Sequence, residues 1–160
     1  MAEKIQKTNA MRALDTAKIP YSTKSYVVDE SDLSGVHVAE TLGVDKDIIF
    51  KTIVTRAGLN EYRVLVIPVS DELDLKKCAE ATGDKRLELL HVKELLPLTG
   101  YIRGGCSPIG MKKKFPTYID ETAILFDSIY ISAGARGTQI IINPQHLADF
   151  IGAKFCDLVK

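Results

Sequence analysis

Two runs decide how this chain folds: Ile48-Ile49-Phe50-Lys51-Thr52-Ile53-Val54-Thr55 and Tyr62-Arg63-Val64-Leu65-Val66-Ile67-Pro68-Val69. Both are rich in β-branched residues, which pack well on a pleated surface, and they bracket Arg56-Ala57-Gly58-Leu59-Asn60-Glu61, a stretch with turn chemistry. The pair predicts a β-hairpin. Side chains alternate across a strand, so Lys51 shares a face with Ile49 and Ile53. A charge on such a face is paired, held for a ligand, or snorkelling from a strand edge.

Working outward toward the N-terminus, Thr8 is the N-cap of a helix with Ala10, Met11, Leu14 and Ala17 on one stripe, and Ile19-Pro20 ends it. Residues 21–29 read as extended, centred on Tyr26, Val27 and Val28; residues 35–42 read as a short helix stopped by Gly43. On the C-terminal side, Leu75, Cys78, Ala79 and Thr82 recur at helical spacing up to Gly83. Residues 86–90 then predict a strand, and 91–96 a short helix closed by Pro97. Short strands follow at 117–119, 124–126, 128–132 and 138–142, then a helix over 144–151. Short strands outnumber helices without regular alternation. The expected fold is α+β, a mixed, largely antiparallel sheet curled into a β-barrel with flanking helices, rather than a doubly wound parallel sheet.

The 160 residues form one expected domain, 1–160, long enough to bury roughly two-thirds of the unfolded surface without a disulfide or metal staple. A hydrophobic content of 46% with 26% charged residues excludes disordered, collagenous and coiled-coil classes. Lys plus Arg equals Asp plus Glu at 21 each, so any polyanion must be met by a local patch. Cys78, Cys106 and Cys156 are odd in number and widely spaced, which points to a reducing cytoplasm. No signal peptide precedes them, and no stretch of ~20 apolar residues could span a membrane. His37, His91 and His146 lie far apart without ligand spacing, so no metal is expected, and no cofactor is implied.

Candidate chemistry concentrates in Gly104-Gly105-Cys106-Ser107-Pro108-Ile109-Gly110-Met111-Lys112-Lys113-Lys114, which reads as a loop too irregular to be core. Gly105-x-x-x-x-Gly110 resembles the start of a phosphate loop, but Met111 stands where the lysine belongs and Pro108 removes a donor. What survives is glycine-permitted backbone whose N–H groups could converge on an anion or oxyanion, or a tight turn needing positive φ. Cys106 is a nucleophile if nearby lysines lower its pKa, and otherwise a small apolar filler; no histidine in the sequence sits beside it, which favours the filler. Lys112, Lys113 and Lys114 are either a solvated face or a contact for nucleic-acid phosphate. A second glycine turn, Ser132-Ala133-Gly134-Ala135-Arg136-Gly137, carries a guanidinium suited to phosphate or carboxylate. The residues by themselves describe an anion-binding cleft of unassigned chemistry.

Four segments in this order, Phe50-Lys51-Thr52, Leu73-Asp74-Leu75-Lys76-Lys77, the 104–113 loop and the 132–137 turn, resemble the YbaK/EbsC family in its Cys-tRNA(Pro) deacylase branch. The resemblance extends from Thr8-Asn9-Ala10 to Ala153-Lys154-Phe155-Cys156-Asp157. It implies a domain related to the editing insertion of bacterial prolyl-tRNA synthetases. It also implies a trans-acting enzyme that removes cysteine from mischarged tRNA(Pro) beside prolyl-tRNA synthetase, with no membrane partner. The family's functional lysine falls on Lys51, its tyrosine on Tyr26, its double glycine on Gly104 and Gly105 followed by Ser107 and Pro108, and its second loop on Ser132, Gly134 and Arg136. Gln139 replaces an acidic residue of some members. The mechanism implied is substrate-assisted: the cysteinyl thiol attacks its own ester, while Lys51, Gly104, Gly105, Ser107 and Gly134 form the catalytic set. Tyr26, Pro108, Ser132, Arg136 and Lys112 to Lys114 would bind the tRNA end. An Ala-tRNA(Pro) deacylase and a non-catalytic nucleotide- or tRNA-binding regulator of the EbsC type are the alternatives.

Overall fold

A computed structural model describes residues 7–160. In chain order the elements are α1 (Asn9–Thr16), β1 (Ser22–Ser25), α2 (Gly35–Leu42), β2 (Phe50–Gly58), β3 (Glu61–Pro68), α3 (Leu75–Thr82), β4 (Glu88–Leu89), α4 (Val92–Thr99), β5 (Thr117–Asp120), a 3₁₀ turn (Glu121–Leu125), β6 (Ile129–Ser132), β7 (Thr138–Ile142), α5 (Pro144–Ile151) and β8 (Lys154–Cys156). The expected hairpin is β2–β3, antiparallel with Lys51 opposite Ile67 and Ile53 opposite Leu65. Its strands run past the expected ends, because Asn60 takes the left-handed conformation (φ 57°) and the reversal needs only Leu59 and Asn60.

Strand β3 is the centre of the molecule. Its Val64 and Val66 face the main core, while Leu65 and Ile67 face a second core under α3, and all four are fully buried. An uninterrupted apolar run is what a strand covered on both faces requires. Each such side chain contributes roughly 1.5–3 kcal/mol of transfer free energy.

The expected barrel is not formed. Strands order as β1-β7-β6 in one sheet and β4-β2-β3-β5-β8 in another, with β3–β5 and β5–β8 parallel and the remaining pairs antiparallel. The sheets meet at an isolated parallel bridge, Ile49 with Tyr130, where the Tyr130 N–H donates to Ile48 O at 2.9 Å. Closure would need continuous ladders at the outer edges, and those edges are short: β4 has two residues and β8 three. The fold is therefore mixed α+β with two open sheets.

Local caps agree with the sequence. Thr8 accepts from Met11 N–H, and Gly43 and Gly83 close α2 and α3 in the left-handed conformation; Asn143, not singled out from the sequence, caps α5. Four expectations are corrected. Only Ser22–Ser25 of the 21–29 stretch pairs with β7, leaving Val27 86% exposed. Pro97 lies inside α4, which ends instead at left-handed Gly100, because losing one N–H does not stop a helix whose next turn is intact. Residues 121–125 wind into a 3₁₀ turn rather than a strand at 124–126, because the buried Asp120 side chain accepts from Thr122 N–H and hydroxyl. The 104–114 loop is irregular yet partly core, with Gly105 through Ile109 buried. No helix among the described residues is long and apolar enough to cross a membrane.

Replacing Leu65 with alanine removes a side chain from a site with no solvent route. The expected cost is about 2–5 kcal/mol, read as a lower midpoint in urea denaturation with unchanged slope.

Candidate functional site

The seam between the sheets opens into a cleft of about 370 Å³. Strand β2 supplies Lys51 and Thr52, β6 and β7 supply Ser132 and Gln139, and the chain after β1 supplies Tyr26. The glycine loop contributes Arg103, Gly104 and Cys106, and the start of α2 contributes Ser34 and Gly35. Of the residues singled out from sequence, Lys51, Tyr26, Gly104 and Ser132 thus converge across more than 100 positions of chain.

Lys51 is the charge at the centre. Burial pulls its ammonium pKa below the ordinary 10.5, although the Glu72 and Asp71 carboxylates act in the opposite direction. Glu72 itself pairs with Lys160, and no ion pair among the described residues uses Lys51. Arg103 adds a second cation, and α2 points its first turn at the cleft, where the Gly35 and Val36 N–H groups lack a partner within the helix. The cleft lining holds no aspartate or glutamate. Its electrostatics therefore suit an anion or a developing oxyanion.

Cys106 lies in the wall, and burial pushes its thiol up to about 12, against a smaller opposing pull from the Thr99 hydroxyl. At neutral pH it is a thiol, which agrees with the filler reading and removes it as a nucleophile.

The two glycine turns are packed on each other. A Cβ at Gly105 would stand 3.2 Å from Arg136 N and 3.3 Å from Ala135 C, so the backbones touch where only hydrogen fits. Arg136 Nε donates to Arg103 O at 2.8 Å, and its chain lines a narrow neighbouring recess with Tyr26 and Gly104. Asp29 and Asp32 also line that recess, their carboxyls held below the usual range by hydrogen bonds from Ser31 and Ser34 respectively. The Gly105 N–H donates to Ile102 O (3.0 Å) and the Gly134 N–H to Ser132 Oγ (3.2 Å), so two amides expected at the substrate hold their own turns instead. Ser107 is buried and its Oγ accepts from Ile109 N–H; Pro108 is buried and borders the separate groove of Lys113 and Lys114.

Sequence reasoning missed Tyr101, a buried side chain that joins both turns. Its hydroxyl donates to Ile109 O, and its ring lies beneath Gly134, where an added Cβ would be 2.8 Å from Cε1. A tyrosine three residues before the loop, between Gly100 and Ile102, carries no periodic signal. Arg103, Thr52 and the α2 N-terminus were also unassigned. The lysine run sits apart: Lys113 and Lys114 line a different groove with Met111, Phe115 and Phe150, and exposed Lys112 packs by Gly100.

Residues 34–150 match the aminoacyl-tRNA editing domain family. This chain belongs to that family. The editing domain is 49% identical over 153 residues to a protein of Enterococcus faecalis named "Putative Cys-tRNA(Pro)/Cys-tRNA(Cys) deacylase EbsC", covering 96% of this chain and 93% of that one. It is 25% identical over 153 residues to the proline–tRNA ligase of Thermosipho melanesiensis, covering 89% of this chain and 27% of the ligase. In fold it resembles a crystal structure described as "a putative trans-editing enzyme for prolyl tRNA synthetase", with a TM-score of 0.81 and 22% identity over 95% of each chain.

Gly134→Ala is expected to destabilise the fold by about 1–3 kcal/mol, since its φ of 96° is strained for alanine and the methyl meets the Tyr101 ring. Thermal unfolding reads the loss, and Tyr101→Phe, which orphans the buried Ile109 carbonyl, is expected to cost about 1–3 kcal/mol by the same measurement.

Proposed function

We propose that this editing domain is a trans-acting deacylase that releases cysteine from mischarged tRNA(Pro), and from Cys-tRNA(Cys), beside prolyl-tRNA synthetase. The observation that carries the reading is a cleft whose charged groups, Lys51, Arg103 and a helix N-terminus, are all positive and unmatched by any lining carboxylate. Such a cleft suits the 3′ phosphodiester end of a tRNA and the negative charge that grows on an ester oxygen. The name of the E. faecalis relative, 49% identical to this chain, supports cysteine as the amino acid removed.

The chemistry needs little from the protein. The lining holds no histidine or carboxylate to act as a general base, and its cysteine is protonated. A cysteinyl ester brings its own nucleophile. The substrate sulfur attacks the ester carbon, the C–O bond to the ribose breaks, and the thiol proton ends on the departing tRNA hydroxyl. The resulting thiolactone is then opened by water to free cysteine. Holding the thiol and the carbonyl together supplies most of the rate. Lys51 binds the terminal nucleotide and stabilises the oxyanion, the Gly35 and Val36 N–H groups support the same charge, and Tyr26 meets the 3′ base. Lys112 to Lys114 hold acceptor-stem phosphates on their separate groove.

The wild-type protein is expected to deacylate Cys-tRNA(Pro), and Lys51→Ala to lower kcat/KM by about 10²-fold. Wild-type turnover in the variant refutes the assignment. Replacing Lys112, Lys113 and Lys114 together with glutamine is expected to reduce the slope of log affinity for tRNA against log salt by about 2–3. An unchanged slope removes the lysine run from the interface.

A further inference from the structure

Two side-chain atoms in the cleft have no hydrogen-bond partner and no solvent: Gln139 Oε1 and Thr52 Oγ1. Both side chains line the cleft, and Gln139 is only 5% exposed. Buried polar atoms without partners are rare in folded proteins, because the lost hydration is not replaced. Their neighbours could have been satisfied locally, as the adjacent Thr55 hydroxyl is by donating to Arg63 O at 3.0 Å. At Gln139 and Thr52 the deficit is left standing where the two sheets part, inside the space a substrate enters. A carbonyl oxygen can only accept, and the last torsion of a glutamine is soft, so Gln139 can turn Oε1 toward a donor in the cleft.

Four parts of an aminoacyl-tRNA end carry donors: the α-amine, the ribose hydroxyl, the amino group of the terminal adenine, which like the ribose belongs to the polynucleotide, and the amino-acid side chain. Lys51 and Arg103 disfavour another cation beside them, which argues against an ammonium. The ribose belongs to a polynucleotide that must stay near the exposed Arg103, whereas a side chain 95% removed from solvent is reached by the narrow amino-acid end. Val38, Ile49, Ile53 and Val69 add apolar wall, alongside the hydroxyl-bearing Tyr26, Ser34 and Ser132, and suit a small group tipped by one donor.

We propose that Gln139 and Thr52 form a polar floor that accepts a hydrogen bond from the substrate's side chain, so that a thiol or hydroxyl binds better than a methyl group. This rests on the deacylase reading and adds the device by which the pocket refuses alanine. A methyl group entering the cleft leaves both oxygens as unpaired as they already are, whereas a donor pairs with them, and a site built to hydrogen-bond a donor discriminates strongly against the analogue lacking it. Drawing the thiol hydrogen to the floor also leaves a sulfur lone pair free to face the ester carbon.

The test uses binding, so it does not depend on turnover. Stable amide analogues of the tRNA end, 3′-aminoacylamino-3′-deoxyadenosines carrying cysteine, serine or alanine, are titrated against the full-length protein. A fourth carries 3-mercaptopropionate, which keeps the thiol and lacks the amine. The wild type is expected to bind the cysteinyl and seryl compounds at least tenfold more tightly than the alanyl one, with 3-mercaptopropionyl near cysteinyl. Gln139→Met, nearly the same shape without the acceptor, is expected to bring the ratio within threefold; Thr52→Val does so in part and Thr52→Ser restores it. Because Gln139→Met removes an unsatisfied polar group, its melting temperature is expected to equal or exceed that of the wild type, which a purely structural glutamine would not allow. A wild-type ratio near one, a ratio that survives Gln139→Met, or a variant that loses only its preference for the free amine overturns the proposal. Deacylation of Cys-tRNA(Pro) by the wild type, measured separately, reports on the underlying activity.

Discussion

The working parts of this molecule depend on a seam. Strand β2 is fully paired with β3 in one sheet, yet at its first residues the backbone also meets β6 of the other, through the Ile49–Tyr130 bridge. The Ile49 carbonyl accepts from Val69 N–H at 2.9 Å while Ile48 accepts from Tyr130, so neighbouring carbonyls are committed to different sheets. With both sheets anchored there and joined by no continuous ladder, the space beside the bridge is not filled by regular packing. Lys51 and Thr52 follow it immediately on the β2 side, and Ser132 and Gln139 arrive from the other. A barrel closed by hydrogen bonds along this edge would have no such opening.

A second constraint gives the opening its wall. The turns at 104–105 and 134–137 approach so closely that a single methyl group at Gly105 would press on backbone atoms, and Tyr101 lies under Gly134 while its hydroxyl donates to Ile109 O. Backbone near a ligand site is normally mobile, but here it is buried through Ile109 and tied by Arg136 to Arg103 O. Rigid walls suit the reaction proposed above, in which the protein would contribute position and charge and the substrate the nucleophile.

Charge in the cleft is arranged at some cost to stability. Lys51 is half-buried with no carboxylate against it, and two polar atoms nearby are unpaired. A protein with equal numbers of acidic and basic residues had ample carboxylates for a salt bridge at this point. On the proposed reading, an ammonium outside any ion pair is available to a phosphate or an oxyanion, and a bound ligand would recover what the free protein forgoes.

The hairpin, three of the helix caps and the membership of Lys51 in an apolar strand were legible in the residues, because hydrophobic period, N-cap chemistry and left-handed glycines act over a few neighbouring positions. The ordered set of motifs likewise pointed to aminoacyl-tRNA editing, and the family match over residues 34–150 agrees. What local signals do not carry is closure and convergence. Whether the sheets seal into a barrel depends on edge strands of two and three residues. That Cys106 is an inert thiol, that Gly105 and Gly134 spend their amides on their own turns, that Tyr101 locks the loops and that the lysine run faces a separate groove depend on which distant segments burial brings together. Desolvation and hydrogen-bond pairing are properties of a neighbourhood, and in this chain the neighbourhood of the cleft is assembled only when the two sheets meet.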